Sequence, residues 1–159
     1  MKKFFTISTL LLCTVAFAQQ STPAVNYIVV DSTGKTIGQV VGVLVGGHPV
    51  VVAITSHGRT FLVDVVRNGF QKISGLMFAT TDCSGQPYLD GGSVFLQTTV
   101  TSNNRLYAES GPGQPLTVLS GFDSSGNCFQ TNFPLDNAVP VTQVLNLNMF
   151  KPPFTVQAQ

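Results

Sequence analysis

The sequence predicts an all-β fold, a single antiparallel β-sandwich or flattened barrel built from hairpins, with one disulfide, after a cleaved signal peptide. Three observations predict it. Beyond the first eighteen residues no 3.6-residue apolar period is sustained. Short β-branched and aromatic runs alternate instead with clusters of Gly, Asn, Asp and Ser. Two cysteines, Cys83 and Cys128, remain in the body of the chain, and in an oxidising compartment an even count reads as a disulfide.

The chain opens with Lys2 and Lys3, followed by an uncharged apolar stretch from Phe4 to Phe17 that ends Ala16-Phe17-Ala18. A basic start, a short apolar core and small residues at the positions a signal peptidase reads predict a signal peptide over 1–18, cleaved after Ala18, and one domain over 19–159. A spanning helix needs about 20 apolar residues; this run is shorter and is broken by Thr6, Ser8, Thr9 and Thr14. Leu12 is bulky where a lipidated Cys13 would want a small neighbour. No later segment is long and apolar enough to span as a helix. The mature chain is therefore expected to be exported, periplasmic or at the cell surface, with no transmembrane helix.

Cleavage removes Lys2 and Lys3, leaving six Lys/Arg against seven Asp/Glu. A near-neutral chain carries no footprint for nucleic acid or anionic lipid. Charged residues are 9% of the sequence, where globular domains carry about 25%. Strand edges are thus thinly guarded against pairing with other chains, and self-association is an expected property.

Strands are expected over Asn26–Val30, Thr36–Val45, Pro49–Thr55, Thr60–Val66, Leu76–Thr81, Val94–Thr101, Arg105–Glu109, Leu116–Phe122, Cys128–Thr131 and Val139–Asn146. Val50-Val51-Val52-Ala53-Ile54 is apolar throughout, which predicts cover on both faces. Phe61, Val63 and Val65 fall on one face of their strand, with Leu62, Asp64 and Val66 on the other. A sheet packed on a second sheet accounts for both patterns. Asn132 to Pro140, interrupted by two prolines, reads as the longest loop. Phe150-Lys151-Pro152-Pro153-Phe154 reads as an extended strap whose phenylalanines dock on the sheet edge.

The turns repeat. Asp31-Ser32-Thr33-Gly34, Asp82-Cys83-Ser84-Gly85 and Asp123-Ser124-Ser125-Gly126 share the form Asp-x-Ser/Thr-Gly. The aspartate bonds the backbone two residues on and the glycine tolerates positive φ, as a type I hairpin turn with a bulge requires. Cys83 lies in the second turn and Cys128 just past the third, so a disulfide between them ties two hairpin ends on one side of the domain.

Motifs that look chemical reduce to structure. Gly34-Lys35-Thr36 resembles the end of a phosphate-binding loop, but Val29 stands where the first glycine is needed and a strand follows. The Asp-x-Ser/Thr-Gly turns are one residue too long for the paired loops of aspartic proteases. His48 and His57 flank one strand, roughly 25–30 Å apart at about 3.3 Å per residue, too far to share a metal. His57 with Asp64 lacks the Gly-x-Ser-x-Gly elbow of a hydrolase, and no calcium loop is present. A transmembrane barrel would want longer strands and a terminal aromatic. The reading is non-enzymatic, with no cofactor and no metal. The one cluster suited to ligand contact is Tyr88, Asp90, Asn103, Asn104, Tyr107 and Glu109, since aromatic faces with amide and carboxylate partners are what sugar binding uses.

Thr81-Asp82-Cys83-Ser84-Gly85-Gln86-Pro87-Tyr88, Gly126-Asn127-Cys128 and Pro152-Pro153-Phe154 resemble a group of uncharacterised exported bacterial proteins. Their pattern is a Cys-Ser/Thr-Gly-x-Pro-Tyr turn, a second cysteine about 45 residues on and a Pro-Phe ending. Val30-Asp31-Ser32-Thr33-Gly34-Lys35 with Gly38 is similar to their opening. The resemblance implies an exported β domain of the kind found alone or at the ends of collagen-like or fibre-like proteins, and it brings no active residues. The sequence thus points to an exported interaction domain, adhesin-like, fibre-like or for envelope assembly, with a glycan or another envelope or surface protein as partner and no nucleic acid. The alternative is a periplasmic small-ligand carrier, with the ligand between two sheets; a hydrolase or inhibitor comes third.

Overall fold

A computed structural model describes residues 25–43, 49–72, 75–91 and 98–159. The strands are β1 (Tyr27–Val30), β2 (Thr36–Val43), β3 (Val50–Ser56), β4 (Arg59–Val66), β5 (Gly69–Phe70), β6 (Met77–Phe78), β7 (Tyr88–Asp90), β8 (Thr98–Val100), β9 (Arg105–Glu109), β10 (Gln114–Phe122) and β11 (Cys128–Asn146). A single 3-10 turn, Leu147–Met149, precedes β12 (Thr155–Ala158). Among the described residues no helix is long and apolar enough to cross a membrane.

Two antiparallel six-stranded sheets result, as the sequence predicts. The first runs β12-β1-β2-β3-β4-β5 and the second β10-β6-β7-β11-β9-β8. β10 also pairs with β11, β6 with β7 and β7 with β11, so these four close into a half-barrel at one end of the second sheet.

β11 is the shared element, and it corrects the sequence reading. Instead of two short strands around a loop over 132–140, residues 128–146 form one continuous strand. Its first half pairs with β10, then Ala138–Pro140 pair with β7, and Val141 onward pairs with β9. Pro134 and Pro140 are tolerated in it: Pro134 lies opposite Thr117 of β10, and the Pro140 carbonyl accepts the Ser110 amide at 2.9 Å. A register shift between Gln143 and Leu145 bends its last turn.

Two cores follow. In the first, Val52, Ile54, Phe61, Val63 and Val65 of the first sheet meet Val100, Leu106 and Ala108 of the second and Leu147 of the 3-10 turn. Leu106 and Ala108 alternate with Tyr107, so β9 turns its other face to the second, smaller core of Leu76, Phe78 and Val141. Cover on both faces of β3 does not hold. Val52 and Ile54 are buried, but Val51 and Ala53 on the outer face are half-exposed beside Leu62, which is 40% exposed.

The strap docks on a sheet edge as expected. Phe150 and Phe154 are both buried against Phe70 of the edge strand β5, with ring centroids 6.0 and 5.1 Å away. The cause is Asp31. Its Oδ2 accepts the Lys151 amide at 3.0 Å and the Ser32 amide donates to the Lys151 carbonyl at 2.9 Å, which pulls the strap across the open end of the core. Lys35 then lies over the Phe150 ring at 4.8 Å. The opposite edge of the sheet is made by β12, which pairs with β1 in the register Tyr27↔Ala158 to Val30↔Thr155.

Leu76–Thr81 contracts to the two-residue β6, and β5, β7 and β12 are additional to the expected set. Parts of the strands expected at Thr36–Val45 and Val94–Thr101 lie outside the described residues, as do the expected signal peptide over 1–18 and His48.

Candidate functional site

The turns fix the site. In the first, the Asp31 amide donates to the Lys35 carbonyl (2.9 Å) and the Gly34 amide to the Asp31 carbonyl (3.0 Å). Asp31 Oδ1 accepts the amides of Thr33 (2.8 Å) and Lys35 (3.0 Å). The third turn repeats this bond for bond, with Asp123, Ser125, Gly126 and Asn127. Gly34 and Gly126 both have positive φ, 83° and 86°. The structure adds a copy the sequence reading missed. Thr101 takes the place of Asp, donating its amide to Arg105 (3.0 Å) and accepting the Asn104 amide (3.0 Å). Asn104, at φ 58°, takes the place of glycine.

The second turn is different. β6 and β7 pair only at Met77↔Tyr88, so it does not close a tight hairpin. Cys83 itself has positive φ, while Asp82 Oδ1 accepts the Ser84 hydroxyl at 2.6 Å. The loop is held from below by Ser120 of β10, which is fully buried. Ser120 Oγ donates to the Thr80 carbonyl (2.6 Å) and accepts the Cys83 amide (2.9 Å). The Cys83–Cys128 disulfide, with an S–S length of 2.08 Å and Cα atoms 5.9 Å apart, ties the same loop to the start of β11.

Hydrogen bonds hold the three turn carboxylates below the ordinary value of 3.8. For Asp31 the largest cause is the Thr33 hydroxyl, joined by the amides of Lys151, Lys35 and Thr33 against an opposing effect of burial. For Asp82 it is the Ser84 hydroxyl, and for Asp123 the Asn127 amide. These carboxylates are occupied in holding backbone.

Between the disulfide loop and the faces of β9 and β11 lies an open cleft of about 510 Å³. Its floor is Leu76, Phe78, Phe122 and Val141, with Phe78 and Phe122 edge to face at 5.3 Å. Gln86, Tyr107, Thr142 and Gln143 form its walls. Past Tyr107 and Phe122 it continues into a recess of about 90 Å³ beside Ser102, Asn103 and the Asp123 turn. The last two turns abut there so closely that a Cβ at Gly126 would collide with Ser102 Oγ.

Of the six residues expected to form a ligand surface, the cleft gathers Tyr107 and Asn103. Asn104 is structural, donating through Nδ2 to Asn148 Oδ1 at 2.9 Å. Glu109 lines a separate groove beside Arg59. Tyr88 is half-buried opposite Met77 and Pro140, and Asp90 is exposed opposite Ala138; neither lines the cleft. Gln86 and Gln143 were missed. The signal for Gln143 was its two-residue alternation with Val141 on β11, which faces Tyr107 across the pair. Gln86 Nε2 is committed to the Pro87 and Val141 carbonyls at 2.9 and 2.8 Å, whereas Gln143 offers its amide hydrogens while its Oε1 accepts from Arg105 at 3.1 Å.

His57 occupies the tight turn between β3 and β4, exposed, with Ser56 Oγ 3.0 Å from its Nδ1. Asp64 lies far up β4, opposite Val51, so the two do not meet. Among the described residues no group of three His, Cys, Asp or Glu is placed to hold a metal ion. The fold and cleft define a class, a disulfide-bonded all-β domain with a half-barrel cleft. Comparison with protein-family models, with curated proteins and with solved structures finds no match.

Proposed function

We propose that this chain is an exported, non-enzymatic interaction domain, adhesin-like, fibre-like or serving envelope assembly, whose cleft beside Tyr107 receives a glycan. The observation that carries the reading is the pairing of an aromatic wall with amide donors over an apolar floor. A pyranose ring has one apolar face, which stacks on an aromatic ring, and a rim of hydroxyls that needs directional polar partners. Tyr107 and Phe122 supply the first need; the amides of Gln143 and Asn103 and the hydroxyl of Thr142 supply the second. The signal peptide, cleaved after Ala18, delivers the domain to where glycans are met.

The test is a glycan array probed with residues 19–159, followed by calorimetry on any saccharide retained. The proposal expects saturable binding that weakens at least tenfold in Tyr107→Ala and is unchanged in His57→Ala. Turnover of esters, peptides or glycans that disappears in His57→Ala contradicts it. Cutting of the protein by protease on intact cells is the expected result for a surface location; release only by osmotic shock shifts weight to the carrier reading, which a second cavity favours.

A further inference from the structure

We infer that the open end of the main core, beneath β12, binds a single-chain amphiphile with an anionic head group; this does not rest on the glycan reading. A cavity of about 520 Å³ opens there, within the range of roughly 300–1,000 Å³ that takes small ligands. Its walls are the inward side chains Val29, Val50 and Val65 of the first sheet, with Phe154 from the strap and Val156 from β12.

Elsewhere this sheet face is covered by Val100, Leu106, Ala108 and Leu147, and none of these lines the cavity. Val29 and Val65 are buried there, but Val50 is half-buried and Val156 is 51% exposed, so part of this apolar lining lies beside solvent. Apolar surface in that position gains by taking an apolar chain out of water.

The head group follows from Arg67. It stands at the mouth and, among the described residues, is the one ionisable residue of the lining. Its backbone is fixed, since the Phe154 amide donates to its carbonyl at 2.7 Å. Its side chain is exposed. A guanidinium offers a forked pair of donors that suits a carboxylate. An alkyl chain along the valines with a carboxylate at Arg67 satisfies both features.

The experiment titrates the mature chain with octanoate, decanoate and dodecanoate below their micellar concentrations, using dodecanol and dodecyltrimethylammonium as neutral and cationic controls. One site per chain is expected, with affinity rising about fourfold per methylene while the cavity fills. Dodecanoate should bind more tightly than either control. Arg67→Gln should weaken the carboxylates about tenfold and leave dodecanol unchanged, with Arg67→Lys restoring part of the loss. Val156→Trp, which fills the cavity from an exposed strand, should weaken all of them. Absence of saturable binding overturns the inference, as does a cationic chain binding as tightly as dodecanoate, or carboxylate affinity indifferent to Arg67→Gln. Loss of dodecanoate binding in Tyr107→Ala, with an unchanged melting curve, places the ligand in the other cleft and overturns it too.

Discussion

Removing the Cys83–Cys128 bridge with the double substitution Cys83→Ala, Cys128→Ala acts first on the unfolded chain. The bond spans a sequence separation of 45. In the chain-entropy model, closing a loop of that length lowers unfolded-state entropy enough to stabilise the fold by about 4 kcal/mol. For a domain of this size that corresponds to a fall in Tm of about 10–15 °C. The folded state keeps its other ties at both ends of the bridge: Ser120 still holds the Thr80–Cys83 segment, and Cys128 remains opposite Phe122 in the β10–β11 pair. The double variant should therefore fold, melt in one transition, and show a steeper dependence of stability on urea because its unfolded state is more expanded. Thermal melts followed by circular dichroism, with and without a reductant, are the assay. A fall below about 4 °C, or an unchanged urea slope, refutes the argument that the bridge acts through the unfolded chain.

Two further outcomes follow from the turns. Ser120→Ala strands the Cys83 amide and the Thr80 carbonyl in a fully buried site, a loss of about 1–3 kcal/mol that urea denaturation should register; an unchanged midpoint contradicts the role given to Ser120. The turn aspartates set the acid limit. Each is held below 3.8 in the folded state, so their contribution is complete above that value and is lost as pH falls through the lowered folded values. Melting temperature should be insensitive to them from neutral pH down to about 5 and should drop below about 4. Asp31→Asn should lower the neutral-pH stability and flatten the acid limb; a variant with an unaltered acid limb contradicts the assignment.

The local physics of the fold was legible in the sequence and its long-range economy was not. Period-two runs such as Phe61, Val63 and Val65 marked the core face of β4 correctly. The first and third Asp-x-Ser/Thr-Gly turns were legible because the aspartate and glycine each have a defined backbone task; the second does not close a tight hairpin. Their equivalent at Thr101–Arg105 escaped because Thr and Asn perform the same tasks less conspicuously. β11 escaped because Pro134, Asp136 and Asn137 look like loop, and only its pairing first with β10 and then with β7 and β9 makes a strand of them. β5, β7 and β12 are two to four residues long, too short for any period to declare itself. Of the cleft lining, Tyr107 and Asn103 were legible, being near in sequence, whereas Gln143 and Phe122 reach the cleft through the closure of the half-barrel.

The most direct test of the cleft is an amide NMR titration of residues 19–159 with a saccharide that the array retains. The account predicts shifts confined to Gln86, Tyr107, Phe122, Thr142, Gln143 and the Thr101–Asn104 turn, absent in Tyr107→Ala. Shifts that instead gather on the outer face of the first sheet, around Val51 and Leu62, or that survive Tyr107→Ala, contradict it.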